Sequence, residues 1–481
     1  MFFEHPRQVL KSEHTYDVCI AGTGPAGVTL AMQLAGRGLS VLLLEAGGEY
    51  FDEKSQAMFN GQLVGDQGFN MGINRLRYFG GSSNHWGGFC RPLDEADFRS
   101  KVDGVDTAWP ISKRDTDPYL DQARDILEIA CFNPDKPLND MLAHVQLTYS
   151  PVQFATKYRE AIKRAATLNM CLNACVSNFI EREGRVVAAQ VRDPQNNVYT
   201  VRARQFALTA GGIENSRILL WSNVQNEGRL VRDPSALGKY WMEHPHFTIG
   251  EAVLTGDPRI DSDRRGRAII SPSEKAMRER QILNCGLRFE AADYEGTKRL
   301  IGDLVCVAPG LGHWAMKQFG KNLICGAAIR AAWEQAPLAS NQVRLGPERD
   351  PLGMPRAQLH WKKSELELRT VRETVLLFAE YLASRNMARV RLRPWVLGNG
   401  TYPDDDEQIG NHHMGGTRMS KEAKTGVVDS NCRVHGLANL FVCGSSVFPS
   451  AGHANPTLTI VQLALRLAAH MSSTVTQGAS A

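Results

Sequence analysis

The chain lacks several features that would mark other protein classes. Among its ten cysteines there is no C-x-x-C pair, and the nearest two, Cys171 and Cys175, lie in an apolar stretch with no second pair of ligands beside it. That argues against a zinc site and against a disulfide framework, so the expected metal content is none and the thiols read as reduced and mostly buried, as in a cytoplasmic protein. Neither sign of charge is in excess: 55 Lys and Arg stand against 51 Asp and Glu, so nothing calls for a nucleic-acid or anionic-membrane partner. No apolar run is long enough to span a bilayer. The opening MFFEHPRQVLKSEH has no cationic start followed by an apolar stretch, so no signal peptide is expected. Internal repeats, low-complexity tracts and long charged linkers are missing as well.

What is present begins with size. A chain of 481 residues exceeds what one core holds, so two domains, or one large α/β domain with an inserted partner, are expected. The strongest local signal is YDVCIAGTGPAGVTLAMQLAGRGLSVLLLEAG, Tyr16 to Gly47. Val18 to Ala21 read as a buried strand, Val28 to Ala35 as a helix, and Val41 to Leu44 as a second buried strand. Between the first two stand Gly22, Gly24 and Gly27 as G-x-G-x-x-G, and Glu45 closes the unit. Gly22 permits the tight turn, Gly24 lets backbone approach a pyrophosphate, and Gly27 lets helix and strand pack closely. The helix N-terminus offers positive dipole and free N–H groups to phosphate. Glu45 suits ribose hydroxyls, which favours FAD or NAD over NADP.

Further along, FALTAGGIENSRILLWS, Phe206 to Ser222, repeats the strand–glycine–helix pattern. It resembles the second crossing that flavoproteins set beside the FAD pyrophosphate, which makes Ala210 and Gly211 cofactor candidates. The preceding LNACVSNFIEREGRVVAAQVRD alternates like a β-meander, and in such folds backbone near Val176 meets adenine. NQVRL and RAQLHW read as strands joined by a turn at Asp350 to Gly353, and Ser364 to Ser384 as an amphipathic helix with Ser364 and Glu367 in capping-box spacing.

Eight ordered segments together resemble the glucose-methanol-choline (GMC) oxidoreductases, leaning toward the pyranose-oxidase-like and bacterial sugar or polyol dehydrogenase branches. They are the stretch 18–45, FGGSSNHWGGFCRP, WPISKRDTDPYLDQA, AGGIENSRILL, LGKYWMEHP, NQVRLGPERDPLGMPRAQLHW, HHMGGTRM and the block from Gly426 to Ala468. The resemblance implies an α/β fold with a Rossmann-like, discontinuous FAD-binding domain, 1–240 and 411–481. A substrate-binding domain of β-sheet and helices, 241–410, would complete the chain. It implies FAD-dependent oxidation of a CH–OH group, in a sugar, glycoside, polyol or alcohol, with hydride passing to flavin N5.

The same resemblance implies the site. The family sets a histidine four residues before the Thr of a G-T pair, here His413, as the base that removes the hydroxyl proton. A neutral imidazole suits that task, because its pKa lies near neutrality. Asn455, inside NPTLT, holds the alcohol oxygen, with Pro456 and Thr457 beside the flavin. His412 reads as a hydrogen-bonded packing neighbour, because successive side chains of an extended segment point to opposite faces. A metal reading of His412, His413 and a carboxylate from Asp404 to Asp406 has no ordered ligand spacing. His453 either lines the site or belongs to a solvated loop.

In GGSSNHWGG, Gly81 belongs to a loop that wraps the cofactor, Ser83 and Asn84 hydrogen-bond phosphate or flavin, and His85 stands where some relatives bear a covalently linked flavin. Gly444 replaces an acidic residue usual in the family, so it can meet the cofactor only through backbone; Ser445 beside it is a further cofactor candidate. Trp314, Trp333 and Trp395 are candidates for stacking on a sugar ring or for core. The electron acceptor (oxygen, a quinone or a cytochrome) stays open, and an oligomer is compatible. Two rival readings use the same scaffold: a redox-neutral lyase, and a flavin-carrying subunit of a larger dehydrogenase complex.

Overall fold

The computed structural model describes the chain apart from residues 11–13, 69, 255–259, 261–266, 292–307, 309, 312–313, 315–316, 319–325, 399–401, 404–409 and 479–481. The carboxylates Asp404 to Asp406 therefore lie outside the described residues.

The front of the chain builds an eight-stranded sheet in the order Phe2–Phe3, Leu168–Cys171, Val41–Leu44, Thr15–Ala21, Val198–Leu208, Arg185–Arg192, Cys175–Arg182, with Leu440–Val442 also paired to Val198–Leu208. The strands around Thr15–Ala21 run parallel, while the last three form an antiparallel meander. Val41–Leu44 is apolar at every position because both its faces are covered, as parallel strands between helices require. Helix Pro25–Gly36 packs against the C-terminal helix Thr457–Gly478. The expected β-α-β unit is thus present. The first strand starts three residues earlier than read, and the helix starts at the proline, which is tolerated at the first helical position.

A second, antiparallel sheet of seven strands runs Ala388–Leu392, His246–Leu254, Ala327–Trp333, Cys285–Ala291, Arg267–Pro272, Leu142–Val145, Lys136–Pro137. Helix Glu365–Ser384 packs on it through Val371, Val375, Phe378 and Leu382. Ser364 does precede that helix, but its hydroxyl donates to Glu367 at 2.9 Å instead of accepting a backbone N–H. The hairpin Gln342–Arg349 and Pro355–Trp361 forms where expected, yet it joins Gln62–Gly65 in a separate three-stranded sheet. Segments 62–65 and 136–145, expected within the cofactor domain, are therefore strands of the other two sheets. Hydrogen bonding to distant edges decides that, and no local pattern carries it.

Buried ion pairs tie the layers. Lys101, with a 2 % exposed side chain, lies 3.0 Å from both Asp97 and Glu334. Arg217 pairs with Glu214 and Asp350, and Arg75 with Glu214. Trp333 and Trp395 are core: Phe247 stacks on Trp333 and tilts against Trp395. Neither is free to meet a sugar ring. Trp314 is the exposed one of the three.

Candidate active site

The dinucleotide end is shaped by glycines whose missing side chains matter in two different ways. At Gly22, φ is +110°, and a Cβ would stand 2.6 Å from the Thr209 carbonyl oxygen. At Gly27, a Cβ would stand 1.9 Å from the Gly22 carbonyl oxygen, so helix and turn touch there. Gly24, Gly211 and Gly444 are the opposite case: nothing closer than 4.0 Å would meet a Cβ at any of them. These three lie at the carboxyl ends of Thr15–Ala21, Val198–Leu208 and Leu440–Val442, where open α/β sheets bind ligands. The space above them fits a pyrophosphate running along bare backbone. Ala26 and Gly27 precede the first bond of their helix, Val28 N to Gly24 O, which leaves their N–H groups without intrahelical acceptors, as an anion site would need.

Glu45 is buried beyond the second strand and accepts from Gly47 N at 2.9 Å and from the Thr23 hydroxyl. A ribose would share that carboxylate with Thr23. The turn before Val176 lies against it, with Ala174 N donating to Glu45 O and Asn173 N to Gly47 O. Val176 itself is buried and paired with Val191.

Gly81 seats its loop over Gly24, since a Cβ there would come within 3.4 Å of the Gly24 Cα. The Ser83 hydroxyl donates to Gly80 O at 2.7 Å and accepts from Phe154 N at 3.1 Å, so it shapes the loop. Asn84 likewise donates to Phe79 O. His85 is exposed, and Ala210 N donates to the Asn215 side chain.

The two adjacent histidines meet different neighbours. The segment from Asn411 to Thr417 is clamped between two strand ends. Ser445 Oγ donates to His413 O at 2.6 Å, Gly415 N to Ser445 O, and Met414 bridges Met242. His413 is buried, with its ring 5.6 Å from that of Trp241 and its backbone against Gly212, where a Cβ would lie 2.2 Å from His413 O. Glu243 Oε2 is 3.7 Å from His413 Nε2, too long for a hydrogen bond. Burial, then the Arg75 charge, pushes the His413 pKa down to about 3, so this is no ion pair at neutral pH.

His412 points the other way, as alternation demands, and it is His412 that meets Asn455. Its Nε2 lies 2.9 Å from Asn455 Nδ2, and its Nδ1 2.8 Å from His244 Nδ1. His244 Nε2 in turn lies 2.7 Å from the Gly452 carbonyl oxygen. Glu243 Oε1 accepts from both His244 N and His412 N. Burial, then the neighbouring His244, His246 and His413, holds the His412 pKa well below the usual imidazole range. The ring is therefore neutral at physiological pH. His412 and Asn455 are both half-buried, whereas His413 is buried, at 7% exposure. Asn455 and Pro456 lead into the helix starting at Thr457, whose first bond is Ile460 N to Pro456 O. The N–H groups before that bond favour negative charge at the helix start.

His453 is buried 3.7 Å from Asp94, on no solvated loop. Glu243 and His244 carry no role in the sequence reading, although WMEHP lies within a segment already singled out. An acid–histidine–proline triplet has no periodicity to mark it, and only the pairing of Met242 with Met414 brings it to His412.

Residues 337–464 match the family model described as GMC oxidoreductase. The fructose dehydrogenase large subunit of Gluconobacter japonicus is 22% identical, with 96% of this chain and 98% of that protein covered. The 2-methyl-1,2-propanediol dehydrogenase of Mycolicibacterium austroafricanum is 23% identical over 95% of each. Among solved structures, pyridoxine 4-oxidase from Mesorbium loti superposes with a TM-score of 0.61 at 17% identity, covering 95% of this chain and 99% of that one, which shows a shared fold.

Proposed function

The chain is a GMC oxidoreductase acting on the CH–OH group of its donor, and from that premise we propose that His412, not His413, is the base, with Asn455 positioning the substrate oxygen. The observation that carries this is the 2.9 Å approach of Asn455 to His412 Nε2. A sugar or polyol is the substrate class, on the strength of the fructose and propanediol dehydrogenases among the relatives.

FAD, the cofactor of this family, would when bound supply the two-electron acceptor for a hydride from the CH–OH carbon. Everything else falls to the chain. His412 Nε2 accepts the hydroxyl proton as the C–O bond gains carbonyl character, its lone pair passing from Asn455 Nδ2 to the hydroxyl when the alcohol binds. Asn455 offers a neutral donor and acceptor that holds the oxygen without competing for the proton. Gly22, Gly24, Gly27, Glu45, Gly81, Ala210, Gly211, Gly444, Ser445, Pro456 and Thr457 are the proposed cofactor contacts, with Val176 near adenine. Ser83 and Asn84 act through the loop they shape. His85, exposed on that loop, is the proposed attachment point if flavin is covalently held, which flavin fluorescence of the denatured band tests.

Anaerobic mixing with a panel of sugars, polyols and simple alcohols should bleach the bound flavin. A His412→Ala enzyme that binds flavin normally should bleach at least a hundredfold more slowly, on the order expected for loss of a general base. Absence of bleaching by any alcohol would sink the oxidation reading and favour the redox-neutral one. The large-subunit relative favours a second reading, a chain that works within a complex. Full turnover by the purified chain with an artificial acceptor would dismiss it.

A further inference from the structure

The relation between His412 and His244 sets more than distance. A carbonyl oxygen only accepts, so the 2.7 Å contact to Gly452 O puts the hydrogen of His244 on Nε2. A neutral imidazole has one N–H, so His244 Nδ1 is then a bare acceptor. It lies 2.8 Å from His412 Nδ1, and two bare nitrogens at that distance would repel. His412 must donate, which places its own hydrogen on Nδ1 and leaves Nε2 as a lone pair. With no substrate bound, Asn455 Nδ2, 2.9 Å away, donates to that lone pair; a substrate hydroxyl takes that place when it enters. The chain of hydrogen bonds therefore has one direction throughout, from Asn455 through His412 and His244 to the Gly452 carbonyl.

We infer that His244 is the positioning residue that fixes His412 in the tautomer able to take a proton, with the Gly452 carbonyl as its reference point. This rests on the assignment of His412 as base. The opposite tautomer would present an N–H to the substrate hydroxyl and could accept nothing. When the substrate O–H breaks and an Nε2–H bond forms on His412, the resulting imidazolium still donates from Nδ1 to His244, so its orientation is kept through the step. His244 Nδ1 goes on accepting without taking the proton, because His244 is the more deeply buried ring and charge there costs more than on His412.

The surroundings support a fixed rather than a mobile chain. Groups facing His412 are His244, His246 at a ring distance of 6.2 Å, Asn455, and the Glu243 carboxylate on its backbone N. Those near His244 include His246, Asp97 and His453. Burial holds the His244 pKa down to about 3, which keeps one hydrogen per ring. The Gly452 carbonyl is itself held. Gly452 has φ +58°, and a Cβ there would lie 2.7 Å from Asp97 Oδ2. Ser450 Oγ donates to Asp97 O, and Asp97 is locked by Lys101 and Asn284.

The test uses the flavin-loaded enzyme and two variants. His244→Leu removes the acceptor, whereas His244→Gln restores one acceptor and one donor in a neutral group. With ¹⁵N-labelled histidine and His412→Ala for assignment, His412 should show a pyridine-type Nε2 and a pyrrole-type Nδ1. In His244→Leu that pattern should invert or average, and the limiting rate of flavin reduction should fall by about a hundredfold with flavin still bound. His244→Gln should recover most of both. A protonated Nε2 on His412 in the unmodified enzyme overturns the inference even if His244→Leu fails to fold. So does His244→Leu with an unchanged pattern and a rate within about threefold of the parent. Failure of the base assignment looks different: His412→Ala would then reduce flavin normally, whatever His244 does.

Discussion

Glu243 and His412 stand 169 positions apart and are joined by a 2.6 Å hydrogen bond from the His412 backbone N to Glu243 Oε1. The same oxygen accepts from His244 N at 2.8 Å. One buried carboxylate thus holds two backbone segments in register, and the two imidazoles above them meet as a result. Replacing Glu243 by Ala should strand both N–H groups. The expected result is a loss of about 1–3 kcal/mol in stability and a larger proportional loss of flavin reduction, while Glu243→Gln keeps the acceptor and much of the rate. Chemical denaturation alongside stopped-flow reduction separates the two effects.

His413→Leu distinguishes the adjacent histidines. Its ring lies 5.6 Å from that of Trp241, and its Nε2 3.7 Å from Glu243 Oε2. The variant should shift the unfolding midpoint yet reduce its flavin within about tenfold of the parent, as expected where no transition-state contact is removed. A variant that folds and binds flavin but cannot be reduced would return the base to His413.

Gly27→Ala should abolish flavin binding. The added methyl would sit 1.9 Å from a backbone carbonyl and 2.6 Å from Thr209 Oγ1, and backbone cannot yield cheaply. Overpacking of this kind costs about 1–3 kcal/mol or more. Protein that purifies colourless and stays so after incubation with FAD is the expected outcome.

Lys101→Met should destabilise strongly, by roughly 3–5 kcal/mol, because Asp97 and Glu334 would remain buried without their cation. Adding Asp97→Asn and Glu334→Gln should recover part of that loss. Urea unfolding of the single and triple variants reads the difference.

Acid should weaken the fold through its buried histidines. Burial lowers the pKa of His244 and His413 to about 3 and that of His246 to about 4, from an ordinary value near 6.5. Between those limits the unfolded chain binds the extra protons, so stability falls as pH drops below 6.5. The slope is about 1.4 kcal/mol per pH unit for each such histidine, levelling only near pH 3–4. Glu367 acts in the opposite sense: burial raises its pKa to about 8, so its contribution is lost as pH rises from 4.5 toward 8. Three histidines outweigh one carboxyl over pH 5–6, and denaturation midpoints there should rise with pH. His413→Leu should flatten that slope by one group.

Much of this protein is decided locally. Glycine spacing after a strand of apolar residues sets a turn, a helix and a close crossing whatever follows. The β-α-β unit, the second crossing after Leu208, the meander and the hairpin therefore all stand where their residues put them, within a few positions. Alternation along an extended segment is equally local, and it correctly separates His412 from His413 onto opposite faces. Which face meets Asn455 is not local. It follows from Met242 pairing with Met414, from Ser445 holding the His413 carbonyl, and from Glu243 gripping the His412 backbone, all between segments distant in the chain. The strands at 62–65 and 136–145 went to other sheets for the same reason: an edge hydrogen-bonds to whatever strand the tertiary fold brings beside it. Residue types and spacings determined that a glycine-lined β-α-β crossing would form and that histidine and asparagine would stand in the segments that meet. Only the packing of two sheets against one seam decided which histidine faces the asparagine.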